Sequence, residues 1–287
     1  MYKQQVEDFE PTFMSMLEKR WQRNLFVCVG LDPVYDGLPA KVRHNVLPEE
    51  AFFAFNCAII DATHDLVCAY KPNSAFYEAL DDAGIRALTR TVEYIKQTYS
   101  DIPVILDAKR ADIGNTNRGY VEAAFEGICA DAITVHPYLG KEALMPFLER
   151  KDKGIIVLVK TSNPGSDEFQ NLLVGDKREP LYQTIARNVA HTWNMHGNCA
   201  IVVGATYPAE LKHVRIIVGD MPILIPGIGA QGGDIEATVK AAKDSRGRGI
   251  IINSSRDIIF ASHGDDFAEA ARNAAQELHG AINIFRV

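Results

Sequence analysis

Eight short runs of the chain are almost continuously apolar and rich in β-branched residues. They are LFVCVGL (25–31), DLVCAYK (65–71), IPVILDAK (102–109), DAITVHP (131–137), GIIVLVKTS (154–162), CAIVVGAT (199–206), MPILIPG (221–227) and GIIINSS (249–255). Apolar residues in these runs do not alternate with polar ones, so they predict parallel strands covered on both faces. The stretches between them follow a helical period instead. Val121, Ala124, Phe125 and Ile128 fall at i, i+3, i+4 and i+7 within 117–128, and Ile185, Val189 and Trp193 recur every fourth residue in 180–196. Phe52, Phe55 and Ile59 mark a helix in 49–64, and Leu80 to Tyr99 supports a longer one. KEALMPFLERK and GDIEATVKAAK supply shorter helices, and Phe267 to Leu278 closes the chain.

Strands alternating with helices eight times, with no linker rich in Pro, Gly or Ser, predict a single α/β domain over residues 1–287. Its fold class is a (β/α)8 TIM barrel, with a doubly wound open sheet as the alternative. An additional N-terminal helix near 8–22 is expected to cap the barrel bottom or pack on its side. Chemistry in such barrels sits where strands end and βα loops begin. The predicted strand ends read Asp32, Lys71 with Asn73, Asp107 with Lys109, His136, Thr161 with Ser162, Thr206, a glycine-rich turn at 227–233, and Asn253 to Arg256. Strand starts have no comparable polar set.

Composition narrows the function classes. At 47% hydrophobic and 23% charged the chain is an ordinary globular protein, and its formal net charge of -7 includes no basic block. A nucleic-acid-binding surface would be basic, so any anionic ligand must meet local positive charge. No apolar run approaches the length of a membrane span, and MYKQQVEDFEP lacks the apolar core of a secretory signal, so a cytoplasmic protein is expected. Five dispersed cysteines (Cys28, Cys57, Cys68, Cys129, Cys199), without a C-x-x-C pair, read as reduced core thiols.

The segment DAKRADIGNT, Asp107 to Thr116, concentrates charge. Asp107 and Lys109 are two apart on an extended segment, so their side chains are expected to face the same way. Lys71 ends the neighbouring strand, which predicts a Lys–Asp–Lys row at the barrel mouth. Asp112 lies beyond the strand in a turn with Ile113 and Gly114, and need not reach the same cavity within one subunit; the loop could instead project into a partner. Thr116 reads as a helix N-cap. Farther on, Gly227, Gly229 and Gly232 satisfy G-x-G-x-x-G, but in the seventh βα unit, with no acid after the next strand to hold a ribose. On a barrel this turn is the usual phosphate site, and Arg256 adds a bidentate donor. Gln231 is placed to bridge phosphate and base.

DAKRADIGNT matches the signature D-x-K-x-x-D-I-x-x-T at every defined position, and LDP (31–33), PGIGAQGG and SSRDI follow in order on the appropriate strands. In these features the chain resembles the orotidine 5′-monophosphate decarboxylase family over essentially its whole length. AYKPNSAFYE and VKTSNPGS look like the bacterial branch called type 2. The resemblance implies decarboxylation of orotidylate to UMP, the last step of de novo pyrimidine nucleotide synthesis, with no cofactor and no metal. It implies that Lys109 protonates C6, that Asp107 sits beside the substrate carboxylate, and that Lys71 and Asp112 complete the charge row. Asp32 and Lys71 would contact ribose hydroxyls, Ser162 the pyrimidine amide edge, and Gln231 and Arg256 the phosphate. Asp112 and Thr116 would serve the opposite subunit's site in a homodimer. The family commonly has Thr-His after the Lys71 equivalent, whereas Pro72-Asn73 stands here, leaving Asn73 to take over a ribose contact. The polar segment 163–179 has no assigned chemistry.

Two rivals remain open at this level. A metal-assisted phosphosugar lyase or isomerase on the same barrel would use Asp32, Asp107 or His136 as ligands. A non-enzymatic nucleotide-binding module would not need Lys109 between carboxylates.

Overall fold

The computed structural model describes residues 11–228 and 234–286. Eight parallel strands form the barrel: β1 (Val27–Gly30), β2 (Val67–Lys71), β3 (Ile105–Arg110), β4 (Ala132–Val135), β5 (Gly154–Lys160), β6 (Cys199–Val203), β7 (Ile223–Pro226) and β8 (Ile250–Ser254). All eight lie within the apolar runs except for Arg110, one residue past the third. Hydrogen-bonded neighbours run β2-β1-β8-β7-β6-β5-β4-β3. Single parallel bridges, Tyr70 with Val104 and Asn73 with Asp107, bring β3 back to β2 and nearly close the ring. The barrel, rather than the open sheet, is therefore the architecture.

Every residue of β1, β2, β4, β6 and β8 is buried, which explains why their sequences are continuously apolar. Helices Pro48–Thr63, Asp81–Thr98, Gly140–Leu148, Ile235–Ala242 and Phe267–Arg286 match the periodic segments. The last runs eight residues beyond the expected end. The segments 117–128 and 180–196 are helices Gly114–Glu122 and Leu181–Asn188 that each continue into a π-helical turn. A helix not anticipated from the periodicity, Pro208–Val218, links β6 to β7, with Leu211, Val214 and Val218 turned inward. The segment 163–179 is also structured: it contains a short helix, Asp167–Gln170, and the antiparallel strands Leu173–Val174 and Glu179–Pro180.

The N-terminal helix, Phe13–Gln22, lies across the barrel bottom. It buries Phe13, Met16, Leu17 and Trp21, and Thr12 caps it by accepting from Ser15 N–H. Arg20, although buried, donates from Nε to the Val67 carbonyl (2.8 Å) and from an Nη atom to the His64 carbonyl (2.6 Å) at the start of β2. At the start of β5, the Phe13 ring occupies the space beside Gly154.

The strand starts are more polar than the sequence suggests. Arg215 is buried and donates to the carbonyls of Ala242, Gly219, Met221 and Gly249, while burial pushes its guanidinium down to about 10. Asp131 accepts from Val104 N–H at 2.7 Å, and Asn198 donates to three carbonyls. These groups satisfy main-chain atoms in the bottom loops, which burial would otherwise leave unpaired. The cysteine expectation also needs correcting: Cys28, Cys68 and Cys199 are buried, but Cys57 is only partly covered and Cys129 is exposed. Among the described residues no helix is long and apolar enough to cross a membrane.

A Cβ at position 154 would stand 2.1 Å from the Phe13 ring. Gly154→Ala is therefore expected to lower stability by about 1–3 kcal/mol through overpacking under the barrel. Urea unfolding of the two proteins measures the difference.

Candidate active site

A cavity of about 620 Å³ opens at the C-terminal ends of the strands. Asp32, Lys71, Asn73, Asp107, Lys109, Ser162 and Arg256 all line it, contributed by the ends of β1, β2, β3, β5 and β8. Seven of the ten residues expected at a site thus face one space. Gln231, with Gly229 and Gly232 of the glycine-rich turn, lies outside the described residues; Gly227 and Ile228, just before it, line the cavity. His136 is half-buried at the rim and does not line the cavity.

The centre of the site is a buried carboxylate shared by two lysines. Asp107 Oδ2 accepts from Lys71 Nζ at 3.0 Å, and Oδ1 accepts from Lys109 Nζ at 2.7 Å. Thr134 Oγ1 donates to the same Oδ1 at 2.8 Å. Burial pushes the Asp107 carboxyl up, but Lys71 and Lys109 outweigh it and hold the group well below the usual carboxylate range. Burial likewise pushes Lys71 down, and the adjacent Asp107 and Asp32 carboxylates reverse this and raise it above an ordinary lysine. Both groups are therefore charged at neutral pH. Beneath them burial pushes the Cys28 thiol up to about 12, which leaves it a neutral part of the floor.

Asp107 and Lys109 meet as expected, but not because the strand is regularly extended. The register between β3 and β4 shifts between Leu106 and Arg110, and Lys109 takes a left-handed backbone with φ of 47°. That conformation costs an L-residue about 1–2 kcal/mol. Thr134 Oγ1 accepts from Lys109 N–H at 2.9 Å and supports the bulge from β4. Lys109 has a side chain about half exposed (48%) against 4% for Lys71, so Lys109 is the ammonium a ligand can reach.

Asp32 Oδ1 accepts from Asn73 N–H at 3.0 Å, fixing the turn after β2. The Asn73 side chain also caps helix Ser74–Glu78, its Oδ1 accepting from Ala75 N–H at 3.1 Å. Next to β1, Asn253 and Ser254 of β8 join Ser255 and Arg256 in the lining, and Asn253 Nδ2 donates to the Cys28 carbonyl at 3.0 Å.

Asp112 and Thr116 do not line the cavity of their own chain. Asp112 Oδ1 accepts from Ile113 N–H at 2.6 Å, and the Ile113 side chain next to it is exposed. Thr116 is not the N-cap expected of it. It lies inside helix Gly114–Glu122, whose N-cap position is Ile113, which makes no side-chain cap. The anchor of this loop is Asn117, fully buried, which accepts from Asp112 N–H (2.8 Å) and donates to the carbonyls of Asp112 (2.6 Å) and Ala143 (2.5 Å). Asn117 and Thr134 were not singled out from sequence, and Asn253 was named only as part of the Asn253 to Arg256 strand end. Thr134 was legible as a lone hydroxyl inside an otherwise apolar strand, whereas Asn117 sits in an ordinary polar stretch that gives no such signal.

Fold and site together define a (β/α)8-barrel enzyme that presents a carboxylate-held ammonium at the mouth of its barrel. Residues 26–273 match the family model described as Orotidine 5′-phosphate decarboxylase / HUMPS family, and the chain belongs to that family. It is 50% identical over 276 residues to a protein named orotidine 5′-phosphate decarboxylase from Cellvibrio japonicus, covering 96% of this chain and 99% of the other. A protein of the same name from Azoarcus sp. is 50% identical over 277 residues, with the same coverage. Among solved structures, Leishmania donovani OMP decarboxylase superposes with a TM-score of 0.82 at 36% identity, over 96% of this chain and 99% of that one. Leishmania donovani UMP synthase gives 0.85 at 38% identity; this chain spans 57% of its length.

The charge row makes a prediction about pH. Because the folded state lowers the Asp107 pKa, its stabilisation is complete above the unfolded value of about 3.9 and is lost as pH falls toward the folded value. Asp107→Asn should lower stability at pH 7 by about 3 kcal/mol, since Lys71 stays buried without its counter-ion. The variant should also lose less stability than the parent between about pH 5 and pH 3. Denaturant unfolding across that range tests both expectations.

Proposed function

We propose that this chain decarboxylates orotidine 5′-phosphate to UMP and carbon dioxide, in the cytoplasm, as the last step of de novo pyrimidine nucleotide synthesis. The observation that carries the reading is the reachable Lys109 ammonium held 2.7 Å from a buried, ionised Asp107 in a cavity ending in Arg256. Breaking the bond from C6 to the carboxylate leaves its electron pair in an orbital of the ring plane, where the π system cannot absorb it. A preorganised positive charge at C6 is then the main stabilisation available. Lys109 supplies that charge and delivers its proton to C6 as carbon dioxide departs, and the resulting amine regains a proton from solvent.

Asp107 holds the ammonium in place and stands beside the substrate carboxylate. Asp32, Lys71 and Asn73 take the ribose hydroxyls, Ser162 the amide edge of the pyrimidine, and Arg256 with Gln231 the phosphate. Phosphate binding far from C6 supplies energy to orient the ring. The chain works as a homodimer in which Asp112 and Thr116 enter the opposite subunit's site, which accounts for their distance from their own cavity. A metal-assisted phosphosugar reaction on the same barrel is disfavoured, because Asp107 already accepts from two ammonium groups and a hydroxyl. Chelator-insensitive turnover of orotidylate, followed by loss of its near-ultraviolet absorbance, separates the two readings.

Lys109→Ala should reduce turnover by about 10⁴-fold or more while leaving UMP affinity largely intact. Near-normal decarboxylation by that variant would sink the assignment. Mixing inactive Lys109→Ala and Asp112→Ala proteins should restore activity, because a hybrid dimer contains one site with both residues. No rescue after verified subunit exchange would rule out a shared site.

A further inference from the structure

Lys160, the last residue of β5, has a fully buried side chain that none of the proposed chemistry uses. Its Nζ donates to Asp167 Oδ1 (2.6 Å), Asn171 Oδ1 (3.0 Å) and Ser166 Oγ (3.3 Å), all in the segment that follows the strand. The rings of Tyr207 and Tyr182 flank it, with centroids 4.7 and 5.9 Å from Nζ. A buried ammonium is stable only when paired and hydrogen-bonded, so losing these partners would be costly. The lysine therefore binds the 166–171 stretch to the barrel.

That stretch in turn grips the cavity wall. Gln170 Oε1 accepts from Thr161 N–H at 2.9 Å, and its Nε2 donates to Thr161 Oγ1 at 2.8 Å. Thr161 Oγ1 donates to Asn163 Oδ1 at 2.7 Å. Gly204 N–H donates to the Lys160 carbonyl, and a Cβ on Gly204 would lie 2.8 Å from the Ser162 Cβ, so Ser162 packs directly on Gly204, the residue after β6. Thr161, Ser162 and Asn163 all line the cavity, just past the end of β5, three strands round the barrel from both the Asn73 turn and Arg256.

We propose that Lys160 is a positioning residue for base recognition: by anchoring Asp167 and Asn171 it holds the 161–163 wall, and Ser162 in particular, at the distance needed to read the amide edge of a pyrimidine. This deepens the function proposed above and rests on it. The segment 163–171 then acts as a fixed brace for one wall. Hydrogen bonds to the base weaken steeply with small displacements of the wall. Contacts to phosphate and ribose come from other strands and do not depend on the brace.

The test compares Lys160→Met and Asp167→Ala with the parent protein, titrating UMP and ribose 5-phosphate by calorimetry and measuring KM and kcat for orotidylate. Asp167→Ala leaves Lys160 its Asn171 and Ser166 acceptors, and circular dichroism verifies that each variant is folded before ligands are titrated. Both variants should bind UMP about ten-fold more weakly, with ribose 5-phosphate affinity within about two-fold of the parent. Amide hydrogen exchange should rise in 161–171. KM for orotidylate should rise more than kcat falls. Unchanged UMP affinity in both variants, or equal weakening of both ligands, overturns the proposal. A parent protein that binds ribose 5-phosphate but neither binds UMP nor consumes orotidylate overturns the functional reading itself, and is recognised before any variant is compared.

Discussion

Asp107 accepts hydrogen bonds from two lysine ammonium groups and a threonine hydroxyl, and the mouth of the barrel is organised around that one carboxylate. A carboxylate so deeply buried would be protonated without its neighbours, and a lysine as buried as Lys71 would lose its charge without Asp107. Each group keeps the other ionised. The same residue also takes part in closing the barrel, since its backbone bridges to Asn73 and its N–H donates to the Pro72 carbonyl at 2.9 Å. The charge row and the β2–β3 seam are therefore one feature, and neither could shift without disturbing the other.

Polar groups are buried at both ends of the barrel, but they do different work. At the bottom, Arg215 and Asn198 spend their donors on main-chain carbonyls, and Arg20 divides its donors between carbonyls and the Asp101 carboxylate, leaving little free to meet a ligand. At the top, carboxylates and ammonium groups pair directly along the wall of an open cavity, and the backbone is strained at Lys109, whose ammonium stays exposed. Strain of this kind is stable only where surrounding contacts over-determine it. Here the Thr134 hydroxyl meets both the Lys109 amide and the Asp107 carboxylate.

The loops around the mouth differ in how they are held. Asn117 fixes the Asp112 turn by three hydrogen bonds to main-chain groups, which presents Ile113 outward on a well-defined backbone. Lys160 and Gln170 fix the wall after β5. In both cases a buried polar side chain anchors an exposed loop, so the loop's surface residues can be placed without a hydrophobic contact of their own.

Periodicity and strand-end chemistry determined the barrel, its eight strands, and the Lys71, Asp107 and Lys109 row, because parallel strands buried on both faces leave continuous apolar runs and push polar residues to their ends. The Pro208–Val218 helix has Leu211, Val214 and Val218 at helical spacing but lies outside the expected elements, and the hairpin of Leu173–Val174 with Glu179–Pro180 has strands of two residues, too short to leave a period. Thr116 was misplaced because a hydroxyl just before an apolar period looks like a cap, whereas the helix starts two residues earlier at Gly114. Only the tertiary structure decided that Lys109 adopts a left-handed backbone, that Thr134 and Asn117 are structural anchors, and that Lys160 is buried behind the 161–163 cavity wall rather than in solvent. Those facts depend on which strands and loops meet across the barrel, and residues far apart in sequence leave no mark on one another's local pattern.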